Sequence, residues 1–199
     1  MAAVGTSEQP LRVAVIGSGP AAFYASEALL KQATRTIEVD MFERLPAPHG
    51  LVRHGVAPDH AKIKTVTRAY DAIAKHPRFR FFSNVEFGRH LTLEDLAKHY
   101  HQVLFATGTQ TDRHMEIPGE DLAGSHGATE FVAWYNGHPD YRDLEFDLSA
   151  RRAVVIGNGN VALDVARRLA LTPEELAPTD TTDAAIEAIN ASGIREILV

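Results

Sequence analysis

The sequence predicts an α/β fold with two successive parallel βαβ units, and three observations predict it. Residues 12–16 form a short apolar run that leads directly into Gly17-Ser18-Gly19-Pro20-Ala21-Ala22. Residues 153–156 form a second such run, leading into Gly157-Asn158-Gly159-Asn160-Val161-Ala162. Each glycine turn then opens a stretch with apolar residues at helical spacing, Phe23, Ala25, Ala28, Leu29 and Leu30 in the first and Leu163, Ala166 and Leu169 in the second. Strand, glycine-rich turn and helix in that order are the opening of a Rossmann-like unit.

The elements follow in order. The β-rich run at residues 36–43, Thr-Ile-Glu-Val-Asp-Met-Phe-Glu, completes the first βαβ unit. Residues 45–52 are rich in Pro and Gly and read as a loop with specific turn demands. From Asp59 to His76 the pattern predicts one helix, with Ile63, Val66, Ala69, Tyr70 and Ile73 on one face and Asp59 as its N-cap. Residues 78–82 alternate charge and aromatic as a half-buried strand does. Thr92 opens a short amphipathic helix, and residues 102–107 form a buried strand closed by Gly108. Residues 128–136 read as helix, 137–150 as a polar connection, and 194–199 as the start of a further strand. The expected division is 1–108 for the first nucleotide domain and 109–199 for the start of the second. A chain that stops inside a parallel strand is expected to lack its C-terminal part, because such a strand needs neighbours on both sides.

Composition narrows the function. The 199 residues are 45% hydrophobic and 23% charged, with a formal net charge of -6. That is an ordinary globular composition, and the acidic balance argues against nucleic acid as a general partner. There is no cysteine, so this stretch supplies no iron–sulfur ligand, thiolate metal site, disulfide or redox thiol pair. No metal site is expected, and His99-x-His101 reads as a solvated helix end. The first twelve residues lack a charged leader followed by an apolar run, and no apolar stretch approaches the ~20 residues that span a bilayer. The expectation is a soluble, cytoplasmic protein with no membrane partner.

The glycine turns carry the chemistry. The first glycine makes the tight turn, and the second leaves room for a pyrophosphate against the backbone. A small third residue then lets helix and strand pack closely. Gly17, Gly19 and Ala22 fill these roles once, and Gly157, Gly159 and Ala162 fill them again. The free amides at each helix start face the phosphates, aided by the helix dipole. A lone match is equally a structural turn; two matches in the same context point to two nucleotides. Glu43 stands 26 positions after Gly17, near the spacing of about 20 at which an acid meets the ribose hydroxyls. A carboxylate there repels a 2′-phosphate, so the first site is expected to take FAD or NAD rather than NADP. The matching position of the second unit lies beyond Val199.

Longer runs make the likeness specific. Val-Ile-Gly-Ser-Gly-Pro-Ala at 15–21, Glu-Arg-Leu-Pro at 43–46 and Gly-Leu-Val-Arg-His-Gly-Val-Ala-Pro-Asp-His at 50–60 resemble the adrenodoxin reductase-type ferredoxin–NADP reductases. Ile-Pro-Gly-Glu-Asp at 117–121 and the run at 155–166 extend the resemblance over nearly the whole chain. It implies an FAD domain with an inserted NADP domain. By the resemblance Gly17, Gly19, Pro20, Ala21 and Ala22 hold the FAD pyrophosphate, Glu43 its ribose, and Gly50 and Leu51 approach the flavin, with Val85 near the adenine. Ala106, Thr107 and Gly108 mark the exit from the FAD domain. Asn158, Gly159, Asn160 and Val161 cradle the NADP pyrophosphate, with Arg113 as a further phosphate contact. The arginine pair for the 2′-phosphate and the C-terminal flavin-contacting segment would follow residue 199.

The resemblance also places His60 and Asp164 near nicotinamide and flavin. Both have plainer readings: His60 as a surface group at a helix start, Asp164 as an acid favoured early in a helix by the dipole. The implied reaction passes electrons from NADPH through the flavin to a ferredoxin-type iron–sulfur protein. Lys62, Lys64, Arg68, Lys75, Arg78 and Arg80 could offer an acidic partner a docking patch, against the simpler reading of a solvated helix face. Two alternatives stay open. One is another NAD(P)H-dependent flavoprotein, such as the electron-input subunit of glutamate synthase; the other is a non-catalytic nucleotide-binding fragment.

Overall fold

A computed structural model describes residues 3–199. Contacts divide the chain into two compact units. The first takes the chain to Arg53 and resumes for Lys62–Gly108; the second takes His54–Ala61 and Thr109–Val199.

In the first unit β1 (Leu11–Ile16) runs into α1 (Pro20–Leu30) and then β2 (Ile37–Phe42), the expected βαβ order. The chain continues through the short α2 (Leu51–His54) and α3 (Ala61–Lys64) to α4 (Thr67–Ala74), β3 (Phe79–Phe82), α5 (Leu93–His99) and β4 (Gln102–Phe105). The four strands form one parallel sheet in the order β3-β2-β1-β4. Alternation along the strands supplies two cores. Val13, Val15, Val39 and Met41 pack with Phe23, Leu30, Tyr70 and Ile73 from α1 and α4. Ala14, Ile16 and Phe42 point the other way, onto Leu96 of α5. Asp40 shares that second face and is buried, yet it is satisfied. Arg80, its register partner on β3, grips it through two bonds of 2.7 and 2.5 Å, and the Tyr100 hydroxyl donates at 2.6 Å. Burial and the bond to Asp40 hold the Tyr100 phenol well above its ordinary range.

Thr92 opens α5 as expected, and it caps the helix in a reciprocal box with Asp95. Thr92 and Lys98 together hold the Asp95 carboxyl down at about 2. Two expectations fail: β4 is half-exposed rather than buried, with Phe105 at 51%, and the long predicted helix is not continuous. The helix over 59–76 is broken at Thr65–Val66, where successive amides bond three residues back instead of four. The run Thr65-Val66-Thr67 explains it. Its branched side chains lose rotamer freedom in a helix, and both hydroxyls take backbone carbonyls, Thr65 that of Lys62 and Thr67 that of Lys64. Tyr70 and Ile73 are buried as expected, while Ile63 and Ala69 face solvent.

The second unit contains α6 (Ala128–Tyr135), β5 (Arg152–Val154), α7 (Asn160–Ala170), α8 (Pro173–Leu176), α9 (Asp183–Asn190) and β6 (Glu196–Leu198). β5 and β6 pair in parallel, Ala153 opposite Ile197. Its core joins Phe131, Val132, Trp134 and Tyr135 of α6 to Ala185 of α9, with Val165 and Leu169 of α7 against them. Trp134 and Tyr135 are packing residues, as expected. Among the described residues no helix is long and apolar enough to cross a membrane.

Candidate functional site: two glycine turns and a polar cluster

At the first turn the chain leaves β1 at Gly17 with φ +102°, a conformation that favours glycine. A Cβ added there would collide with the Ala106 carbonyl oxygen and lie 3.2 Å from the Thr107 Cα. The backbone of Ala106 and Thr107 therefore runs against the turn, and Gly108 follows with φ +70°. Gly19 is the N-cap of α1, with no side chain capping it and Pro20 in the first helical turn, where no amide is needed. A Cβ built on Gly19 meets nothing within 4 Å. Ala21 is exposed and Ala22 fully buried, so the third small residue sits where helix meets sheet.

Glu43, at the end of β2, is buried beside this turn. Its Oε2 accepts the Ser18 amide at 3.1 Å and the Ser18 hydroxyl at 2.6 Å, and its Oε1 accepts the Leu45 amide at 2.9 Å. A carboxylate offers about four lone-pair directions. Three are used within the protein, which leaves about one, on Oε1, for a ligand. Sequence reasoning missed Ser18, which joins the acid to the turn; its place between the two glycines was the available signal.

It also missed His49. His49 and Gly50 both adopt positive φ, +92° and +49°. The His49 amide donates to the Ser18 carbonyl at 3.0 Å, and a Cβ on Gly50 would lie 2.9 Å from the Gly19 Cα. The Pro- and Gly-rich loop is thus folded back onto the first turn. The buried His49 ring packs against the stacked pair of Phe23 and Tyr70, with Asp71 3.7 Å from Nε2. Burial and the Arg53 charge lower its affinity for a proton below the usual imidazole value, against the pull of Asp71. Leu51 is 61% exposed. Val85 packs on the Ala14–Phe42 side of the sheet and donates its amide to the Glu43 carbonyl.

The second turn repeats the backbone form. Gly157 has φ +128°, and Gly159 is the N-cap of α7, again without a side-chain cap and with no atom within 4 Å of an added Cβ. Asn158, Asn160 and Val161 are exposed, as is Arg113. Both turns therefore pass a test of fit for a diphosphate: a first glycine at positive φ, an open second glycine, and a helix start with no side-chain cap.

The second unit gathers a polar cluster that sequence reasoning only half found. Asp164 and Arg167 lie one turn apart on α7, and His60 stands 3.2 Å from Asp164. Asp59 is not the cap of a helix. Its carboxylate meets Arg167 in a bidentate pair, and Arg168 Nη1 lies 3.5 Å from it. Burial works against the charge of Asp59, but the bonds and charge of Arg167 prevail and hold its carboxyl below the ordinary range. Arg168 is fully buried. It donates to Thr181 and Thr179 and faces the Tyr135 ring, while its Nε and Nη1 have no hydrogen-bond acceptor. Among the described residues no group of three or more His, Cys, Asp or Glu could hold a metal ion.

Two open glycine turns, each between a parallel strand and a helix, define a protein of the two-nucleotide Rossmann class. Comparison with known proteins agrees. Residues 11–181 match the pyridine nucleotide-disulphide oxidoreductase family, and the chain belongs to it. The disulphide in that name has no counterpart in a chain without cysteine. A probable ferredoxin/ferredoxin–NADP reductase of Mycobacterium bovis is 56% identical over 198 residues, covering 100% of this chain and 34% of the relative. The mitochondrial NADPH:adrenodoxin oxidoreductase of Salvelinus fontinalis is 47% identical over 189 residues, covering 94% of this chain and 38% of the relative. Among solved structures, Mycobacterium tuberculosis FprA in complex with NADPH superposes with a TM-score of 0.91 at 51% identity, over 95% of this chain and 43% of that one. The resemblance read from the sequence and the α/β class both hold. The chain spans between about a third and two fifths of the length of these relatives.

Proposed function

We propose that this chain is the nucleotide-binding part of a flavoprotein reductase. In this reading it takes FAD at the first glycine turn and NADPH at the second, and serves a ferredoxin-type iron–sulfur protein in the cytoplasm. Residues 1–108, apart from the strip 54–61 that belongs to the second unit, form the first part of the FAD domain and 109–199 the start of the NADP domain. The observation that carries the reading is the pair of unobstructed helix openings at Gly19 and Gly159. Relatives named as ferredoxin and adrenodoxin reductases, and a solved relative in complex with NADPH, support it.

The chain's own residues would bind and orient. Amides at the start of α1 face one diphosphate, beside the buried Glu43, whose remaining acceptor direction suits a ribose hydroxyl. Gly50 and the exposed Leu51 offer backbone and an apolar side chain next to that turn. Asn158, Gly159, Asn160 and Val161 face the second diphosphate, with Arg113 as a further cation for phosphate, and His60 and Asp164 stand in the second unit as polar groups for the nicotinamide end. When bound, the nicotinamide supplies a hydride and the flavin hands electrons on singly. The full-length protein should purify yellow and be bleached rapidly by NADPH. A colourless preparation that binds neither nucleotide would overturn the reading, and one that binds nucleotide without being reduced by NADPH would leave a non-catalytic nucleotide-binding protein.

A further inference from the structure

The contact between Arg167 and His60 has a chemical direction. Arg167 Nη2 lies 2.7 Å from Asp164 Oδ1, 2.9 Å from His60 Nε2 and 3.2 Å from Asp59 Oδ1. A guanidinium only donates and stays charged. Nη2 has two hydrogens for three acceptors in reach. Asp59 is the farthest, and its other oxygen is already served by Nη1. The two hydrogens therefore go to Asp164 and His60, and His60 Nε2 must present a lone pair. The rival arrangement, Nε2–H donating to Asp164 at 3.2 Å, would aim an N–H at a guanidinium nitrogen only 2.9 Å away. It would also offer a second hydrogen to an oxygen that already accepts a shorter, charge-assisted bond.

Charge supports the same choice. Asp59, Asp164, Arg167 and Arg168 balance one another, so a neutral ring leaves the cluster uncharged. The guanidinium is itself held in place, by the Nη1 bond to Asp59 and the Nη2 bond to Asp164, with the buried Arg168 behind Asp59.

We propose that Arg167 is the positioning residue for His60: by donating to Nε2 it holds the ring in the neutral tautomer with its hydrogen on Nδ1, while Asp59 and Asp164 anchor the guanidinium rather than the imidazole. The inference deepens the reading of His60 as a polar group for the nicotinamide end, and rests on that reading only for its catalytic meaning. His60 Nε2 is then a site that accepts, and Asp164 does not draw a proton from it.

The test is ring-15N NMR of histidine-labelled full-length protein at mildly alkaline pH, with His60→Gln identifying the resonance. The expected result is hydrogen on Nδ1 in the wild type, a swap to Nε2 in Arg167→Met, where the Asp164 carboxylate 3.2 Å from Nε2 can take its hydrogen, and retention of Nδ1–H in Arg167→Lys, which keeps a cationic donor. A wild-type ring with its hydrogen on Nε2 overturns the proposal without any variant. So does a ring unchanged in Arg167→Met. Should that variant fail to fold, the wild-type spectrum and Arg167→Lys still decide it, since loss of Nδ1–H in the lysine variant overturns it. Flavin content and bleaching by NADPH, read on the same wild-type sample, test the reductase reading separately, because the tautomer is decided whether or not a flavin is present.

Discussion

The two glycine turns share a backbone form and differ in how they are held. Gly17 donates its amide to the Phe42 carbonyl and has the Ala106 carbonyl where a Cβ would stand. Ser18 is tied to Glu43, and the His49–Gly50 loop lies against Ser18 and Gly19. Around Gly157 an added Cβ would meet only the Ala162 side chain, at 3.5 Å, and residues 156–161 are exposed. One motif thus serves in a four-stranded, two-faced core and again beside a two-stranded pair. The spacing of the glycines specifies the turn; its rigidity comes from what the rest of the chain lays against it.

That contrast can be broken most directly at the first glycine of each turn. Gly17→Ala combines a positive φ with a collision against backbone and is expected to cost about 4 kcal/mol or prevent folding. Gly157→Ala meets ordinary packing and should cost about 1–3 kcal/mol, mainly backbone strain. Urea denaturation of the full-length variants compares them, and equal losses would erase the difference drawn here. Next in size is Glu43→Gln. It replaces a carboxylate accepting three bonds with an amide whose NH2 cannot accept them, and should cost about 2 kcal/mol in the same measurement. An unchanged midpoint would mean that Ser18 does not need the acid.

A pH effect sharpens the comparison further, since the loop over the first turn contains a buried imidazole. The folded state lowers the proton affinity of His49, so its contribution to stability is present above the unfolded value near 6.5 and is lost as pH falls below it toward the folded value. Melting temperature should therefore drop more between pH 8 and pH 5.5 in wild type than in His49→Asn, a replacement that tolerates the positive φ. Equal drops would remove His49 from the account. The smallest stability change is expected at the open glycines. Gly19→Ala and Gly159→Ala should each cost about 1 kcal/mol or less, yet weaken nucleotide binding at their own turn by at least about tenfold, equivalent to 1.4 kcal/mol. Isothermal titration or flavin retention reads this, and unaltered binding in both would remove the diphosphate reading.

Much of this was legible because the signals were local. An apolar run followed by Gly-x-Gly-x-x-Ala announced β1–α1 and β5–α7, and Thr92 announced the start of α5. The break at Thr65–Val66 was hidden because apolar periodicity persisted through residues whose hydroxyls compete for the helix carbonyls. The links of Ser18 to Glu43 and of Asp59 to Arg167 span 25 and 108 positions, and no period in the sequence reports such distances. Arg168 was hidden for another reason. Arginine is seldom fully buried, and only the fold supplies the Tyr135 ring and the threonines that make it tolerable.

The excursion of residues 54–61 into the second unit has a practical outcome for anyone dissecting the protein. Scission after Gly108 looks natural on the linear map, but it would strand Asp59 and His60 with the first piece, leaving Arg168 without its anion and Arg167 with Asp164 alone. Neither half would inherit an intact set of charges, and each would expose the severed polar group as a liability. A separation that respects the physics has to carry this eight-residue strip along with the later half.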